Sequence, residues 1–184
     1  RHHKSRKHRI AGKIDDVWTD EYGNRWLVEY KTSSKLDASY FDRLMVDGQV
    51  TLYCYALKRL GMPVAGVIYR VIRKPSIRIR KGETAQQFAV RLTQDYRDRP
   101  DFYFEERRLY RSDADLDSFE QSLWQQIKLA DTQHKAGQNF MHTCNCSVYG
   151  GCRYLPICTK ENGAEALFEI KEPHSELQEE EPEE

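Results

Sequence analysis

Residues 12–34, GKIDDVWTDEYGNRWLVEYKTSS, decide how this 184-residue chain folds. Residues 9–19 (RIAGKIDDVWT) and residues 24–31, which contain RWLVEYK, are rich in Ile, Val and Trp. Between them Glu21, Tyr22, Gly23 and Asn24 supply turn chemistry, so the stretch predicts an antiparallel hairpin. Residues two apart on a strand leave the same face of the sheet, which puts Glu29 beside Lys31. Asp15, on the partner strand, lies within reach of that face. Burying such charges is costly unless something binds them. Two carboxylates and an ammonium on one sheet face suit a hard divalent cation, because Mg²⁺ takes oxygen ligands and keeps several waters. Lys31 would then face a metal-bound water or a substrate phosphate. A plain surface charge cluster is the alternative reading. Asp16 points to the opposite face of a regular strand, unless a bulge exchanges the two aspartates.

Working outward, residues 36–60 predict one long amphipathic helix. Asp37 or Ser39 is its N-cap, its apolar residues are Phe41, Leu44, Met45, Val50, Tyr53, Ala56 and Leu60, and Gly61 is its stop. Gln49 and Tyr53 are one turn apart and project from the same side. Cys54, between two tyrosines, reads as a buried apolar thiol. Residues 64–72 (VAGVIYRVI) predict a buried strand, 75–80 (PSIRIR) an edge strand and 84–98 a surface helix. Residues 102–111 (FYFEERRLYR) predict a strand and 113–134 a helix. This alternation of strands and helices predicts a mixed α/β domain.

The length suits one domain with its own core. A hydrophobic fraction of 39% and a charged fraction of 32% describe a polar globular protein. No apolar run approaches the roughly 20 residues that span a bilayer, so no membrane association is expected. The 29 basic and 29 acidic residues cancel, but the balance hides a basic start (RHHKSRKHR, 1–9) and an acidic end (ELQEEEPEE, 176–184). Both read as solvated tails, or the basic one as a phosphate-attracting segment. With no initiator Met or signal peptide, the chain is expected to lack upstream residues. Of five cysteines, four fall within 144–158. That crowding is unlike a secreted disulfide framework and suggests a cytoplasmic protein with a metal or cluster site.

Three pieces then stand in order: G-x-x-D (Gly12 to Asp15), E-Y-K (Glu29, Tyr30, Lys31) and Q-x-x-x-Y (Gln49 to Tyr53). Over roughly residues 8–160 the sequence resembles the PD-(D/E)XK nuclease superfamily, within it the RecB-like and phage-type exonucleases related to Cas4. The resemblance implies an α/β, restriction-endonuclease-like core with a central mixed β-sheet flanked by helices. The nuclease domain would span 1–162, including the Cys-rich segment, and 163–184 would be an acidic, mobile tail. Asp15 and Glu29 would ligate Mg²⁺ or Mn²⁺, with the backbone carbonyl of Tyr30 a further ligand. Lys31 would orient or help deprotonate the attacking water and offset charge on the phosphate. Gln49 and Tyr53 would position Lys31, the water or the DNA strand. His8 stands where related groups place a metal-ligating histidine, or is one more residue of the basic tail, as His2 and His3 are.

Relatives of this kind hold a [4Fe–4S] cluster with a C-terminal cysteine group and one cysteine upstream of the core. Here no cysteine precedes the core. Cys146, Cys152 and Cys158 match best, and Cys144 or a segment outside this sequence would supply the fourth ligand. Zinc, or no metal, remains open for this segment. The implied function is a metal-dependent DNA exonuclease in recombination, repair or phage DNA processing, with DNA and a helicase or recombination protein as partners. A catalytically silent nuclease-fold DNA-binding or assembly subunit is the alternative. Tyr40, Phe41 and Arg43, with the basic run Arg73, Lys74, Arg78, Arg80 and Lys81, are candidate DNA contacts. Phe102, Tyr103, Phe104 and Tyr110 either stack on bases or pack in the core.

Overall fold

The computed structural model describes residue 8, residues 10–137, residue 144, residues 146–147 and residues 150–169. The chain divides into two compact units, residues 12–123 and residues 1–11 with 124–184.

The first unit is built on a mixed four-stranded sheet in the order β1-β2-β3-β4. Its strands are β1 (Asp16–Thr19), β2 (Arg25–Ser33), β3 (Gly66–Arg73) and β4 (Phe104–Leu109). β1 and β2 form the expected antiparallel hairpin, with Asp16 opposite Val28. β2 pairs in parallel with β3, and β3 antiparallel with β4. The hairpin turn is organised by Asp20, which accepts hydrogen bonds from the amides of Tyr22 and Asn24 and from the Trp26 indole. These donors, Trp26 foremost, hold its carboxyl down at about 2.

The parallel pairing of β2 and β3 requires a crossover, and residues between them supply it. It consists of α1 (Ala38–Asp42), a 3₁₀ turn (Arg43–Val46) and α2 (Gly48–Arg59). Val50, Tyr53, Cys54 and Leu57 fall on one helical face and pack against Leu27, Val67, Val71 and Leu109 of the sheet. Fully burying each such aliphatic side chain is worth about 1.5–3 kcal/mol, so this layer holds α2 against the sheet. Gly61, at φ 77°, ends α2 as expected. The amides of Gly61 and Met62 return to the carbonyls of Lys58 and Leu57, which closes the last turn. Cys54 is buried in this core, and burial pushes its thiol up to about 11.

Three expectations are corrected. The helix over 36–60 is interrupted, because Asp47 adopts an extended conformation (φ −64°, ψ 118°) and caps α2 through Val50 N at 2.8 Å. Of the two N-cap candidates, Asp37 is the one that caps α1, as the sequence allowed. Residues 75–80 form no strand: Pro75 brings no N–H, Arg78 O accepts from Arg91, and Arg80 N donates to Glu83. Side chains therefore take up backbone groups that a neighbouring strand would have used. Residues 102–103 belong to a short helix, α4 (Pro100–Tyr103), that precedes β4. Helix α3 (Ala85–Asp98) matches its expectation, and Thr84 with Gln87 forms a capping box at its start.

Helix α5 (Asp113–Ala136) begins in this unit, where Leu116 joins the core and Phe119 lies against Tyr55. The other unit takes α5 from Trp124 onward, α6 (Leu155–Cys158) and a 3₁₀ turn (Ala164–Leu167). Tyr154 stacks on Phe168 there, with ring centroids 5.4 Å apart. Most of the basic start and residues 170–184 of the acidic tail lie outside the described residues. Among the described residues no helix is long and apolar enough to cross a membrane.

Candidate functional site

Alternation along β2 sends Leu27, Glu29 and Lys31 to the face that α2 covers. Leu27 and Glu29 are fully buried there, while Lys31 reaches the edge of the core and is half-buried. Lys31 Nζ contacts Glu29 Oε1 directly. Oε2 of the same carboxylate, in a residue only 1% exposed, has no hydrogen-bond partner. It is the one buried side-chain oxygen or nitrogen among the described residues left in that state.

Asp15 sits immediately before β1 and is exposed, and its Oδ2 accepts the backbone N–H of Tyr30 at 3.0 Å. N–H and C=O of one strand residue leave on the same side, so the Tyr30 carbonyl also faces this edge, beyond the last β1–β2 pair at Asp16 and Val28. Asp16 faces away. Its carboxylate accepts from its neighbour Val17 N and from the Trp18 indole.

The N-terminal half of α2 closes the site. Gln49 Nε2 donates to the Tyr53 hydroxyl at 3.0 Å. Tyr53 is buried and bears electrostatically on Lys31. Gly12 lies against the same ring, where a Cβ would stand 2.7 Å from Tyr53 Cε1. The three sequence pieces Gly12 to Asp15, Glu29 to Lys31 and Gln49 to Tyr53 thus meet in one place.

Electrostatics follow from burial. Burial pushes the Glu29 carboxyl above its usual range; Lys31 opposes the shift, and the charges of Asp15 and Asp47 reinforce it. For Lys31, burial works toward a lower value, but Glu29, Asp15 and Tyr53 outweigh it and raise the ammonium. Two residues here were not singled out in the sequence. Tyr69 is the register partner of Glu29 on β3, and its hydroxyl lies 3.2 Å from that of Tyr40. Burial first, then Tyr40, raises the Tyr69 phenol well above its ordinary range. Asp47 bears on both Glu29 and Tyr69. An Asp-Gly pair opening a helical period is a readable N-cap signal, whereas nothing local marks Tyr69 as a neighbour of Glu29.

Tyr40, whose hydroxyl lies near that of Tyr69, adjoins this cluster. Arg43 lies over the Tyr40 ring and Arg107 over Phe41. Arg73 is engaged internally, donating to Phe102 O at 2.9 Å, while Lys74, Arg78, Arg80 and Lys81 are exposed. Tyr103 is fully buried against Tyr96, and Phe102, Phe104 and Tyr110 keep 40%, 50% and 60% exposure.

His8 belongs to the other unit, where its Nε2 lies 2.9 Å from Asp131 Oδ2. Cys144 and Cys158 are exposed, and Cys146 and Cys152 are half-buried. The backbone N–H of Cys152 donates to Cys146 O at 2.8 Å. Among the described residues, no group of three or more His, Cys, Asp or Glu is gathered closely enough to hold a metal by itself. The unpartnered, buried Glu29 Oε2 has the donor chemistry of a hard cation's ligand, and the charge of Asp15 bears on the same carboxyl. Compared with protein-family models, with curated proteins and with solved structures, the chain finds no match.

Proposed function

We propose that this chain is a metal-dependent deoxyribonuclease with a restriction-endonuclease-like core, acting as an exonuclease in recombination, repair or phage DNA processing. The observation that carries the reading is Glu29: buried, held by Lys31 through Oε1, and leaving Oε2 unpartnered. A folded chain keeps a bare buried carboxylate oxygen only at a cost of about 1–3 kcal/mol or more, which a bound cation would offset.

Asp15, Glu29 and the Tyr30 carbonyl would hold Mg²⁺ or Mn²⁺. Such an ion supplies Lewis acidity and a nucleophilic water at neutral pH. Lys31 is held as an ammonium by Glu29, so it donates hydrogen bonds and offsets phosphate charge rather than accepting a proton. Gln49 and Tyr53, already hydrogen-bonded to each other, fix the position of Lys31 from the helix side. Arg43, Arg107 and the exposed basic residues after β3 would contact the DNA backbone without reading sequence. The four clustered cysteines are candidate thiolate ligands for a [4Fe–4S] cluster or zinc, which elemental analysis of anaerobically purified protein decides.

The test is degradation of end-labelled linear DNA beside a circular control, in Mg²⁺ and in Mn²⁺, for the wild type and Lys31→Ala. Cleavage of the linear form alone, lost in the variant, is the expected result. DNA binding without cleavage in either metal would replace this reading with a silent nuclease-fold binding or assembly subunit.

A further inference from the structure

The hydroxyl pair of Tyr69 and Tyr40 has no part in the cation chemistry, and its protons give it a direction. Tyr69 is only 4% exposed and stands beside Glu29 in register, on the face that α2 covers. Oε2 of Glu29 has no partner, so the Tyr69 hydroxyl does not donate to it. Its proton goes to the Tyr40 hydroxyl, 3.2 Å away, because the reverse bond would leave a buried O–H without an acceptor. Tyr40 is half-buried and has its own O–H left to donate outward.

Two guanidiniums are held around this tyrosine. Arg43 lies 5.4 Å from the centre of the Tyr40 ring, and Arg107 lies 4.8 Å from that of Phe41, which meets Tyr40 edge to face at 5.2 Å. Arg107 is also the register partner of Tyr69. Glu29, Tyr69 and Arg107 thus form one row across three strands, about 10 Å from end to end along the backbone. Arg107 contacts Glu105 at 2.6 Å yet keeps 53% of its side chain exposed, and Arg43 is exposed. A guanidinium lying over a ring keeps its N–H edge for oxygen acceptors, and phosphate oxygens suit that fork.

We infer that Tyr40, Arg43 and Arg107 form a second anion subsite, which takes backbone phosphates flanking the scissile one on the same DNA strand. Tyr69 is its positioning residue, aiming the Tyr40 hydroxyl. This inference rests on the reading of Asp15 and Glu29 as the cleavage site and adds the path of the strand, along the register row toward β4.

The experiment is fluorescence anisotropy of the full chain with a fluorescein-labelled single-stranded oligonucleotide in EDTA over a series of KCl concentrations, beside cleavage of linear DNA by the wild type in Mg²⁺ and Mn²⁺. Arg43→Gln and Arg107→Gln should each make log affinity against log salt shallower by about 0.7. Tyr40→Phe should weaken binding about tenfold with the slope kept. Tyr69→Phe should weaken it as well, and the double Phe variant should bind no worse than Tyr40→Phe, since Tyr69 acts through Tyr40. Partial unfolding would lower affinity at every salt concentration and leave the slope as it is, so the slope separates phosphate contact from a structural role. Arginine variants that keep the wild-type slope overturn the subsite, and additive losses for the two tyrosines overturn the positioning role; the nuclease reading stands in both cases if the wild type cleaves DNA. A wild type that neither binds nor cleaves DNA removes the inference and that reading together.

Discussion

The backbone N–H of Tyr30 donates to Oδ2 of Asp15 at 3.0 Å, which fastens an exposed carboxylate outside β1 to the strand that carries Glu29 and Lys31. That bond sets where Asp15 points, although Asp15 lies beyond the ladder of β1 and β2.

The adjacent aspartates should therefore behave oppositely. Asp15→Asn retains an oxygen for the Tyr30 amide but loses the charge, so stabilisation by Mn²⁺ should vanish. For wild type that stabilisation would reach about 2.7 kcal/mol at a hundred times the dissociation constant. Asp16→Asn, on the far face with the Trp18 indole, should keep it in full. Thermal melts with and without Mn²⁺ compare the two, and equal responses would refute the assignment of faces.

Glu29 makes cation-free stability depend on pH. Burial raises its folded-state pKa above the usual 4.5, so the folded chain binds this proton more readily than the unfolded chain. Stability should then be highest below the ordinary carboxylate range and should fall as pH rises through the raised value. Glu29→Gln should remove that component, leaving a Tm at pH 8 equal to or above that of the metal-free wild type. Melting curves across pH for both proteins measure the difference, and parallel curves would show that Glu29 is not the source.

Gly12 is required by contact with a ring, since an added Cβ would meet Tyr53 Cε1 at 2.7 Å and Tyr53 is buried. Gly12→Ala should cost about 1–3 kcal/mol and displace Tyr53 from Gln49. In a Tyr53→Leu background the same substitution should cost much less. Urea unfolding of the four proteins completes the cycle, and additive losses would place the strain elsewhere.

Arg111 ties the crossover to the end of β4. Its Nε donates to the buried Thr51 hydroxyl at 2.8 Å and its Nη2 to Leu44 O at 2.6 Å. Arg111→Ala should destabilise the chain by about 2–3 kcal/mol. Arg111→Lys should restore little, because an ammonium cannot reproduce the fork of donors. Urea unfolding checks this, and a full rescue by Lys would indicate a purely electrostatic role.

The local pattern alone was enough to place the hairpin, the strand at 64–72, the helix at 84–98 and the shared face of Glu29 and Lys31. Periods of two and of 3.6 residues are properties of the backbone that adjacent residues express. Gln49 and Tyr53 were legible together for the same reason, as was the burial of Cys54. The break at Asp47 was readable in principle from its Asp-Gly pair but lay beneath an unbroken apolar period. At 75–80 the alternation suggested a strand, yet Arg91 and Glu83, distant in sequence or following a turn, took the backbone groups. Tertiary structure alone decided that Glu29 is buried with one bare oxygen and that Tyr69 lies beside it. Burial and pairing depend on which strand a parallel crossover returns to, and that is settled by packing between segments rather than by any one of them.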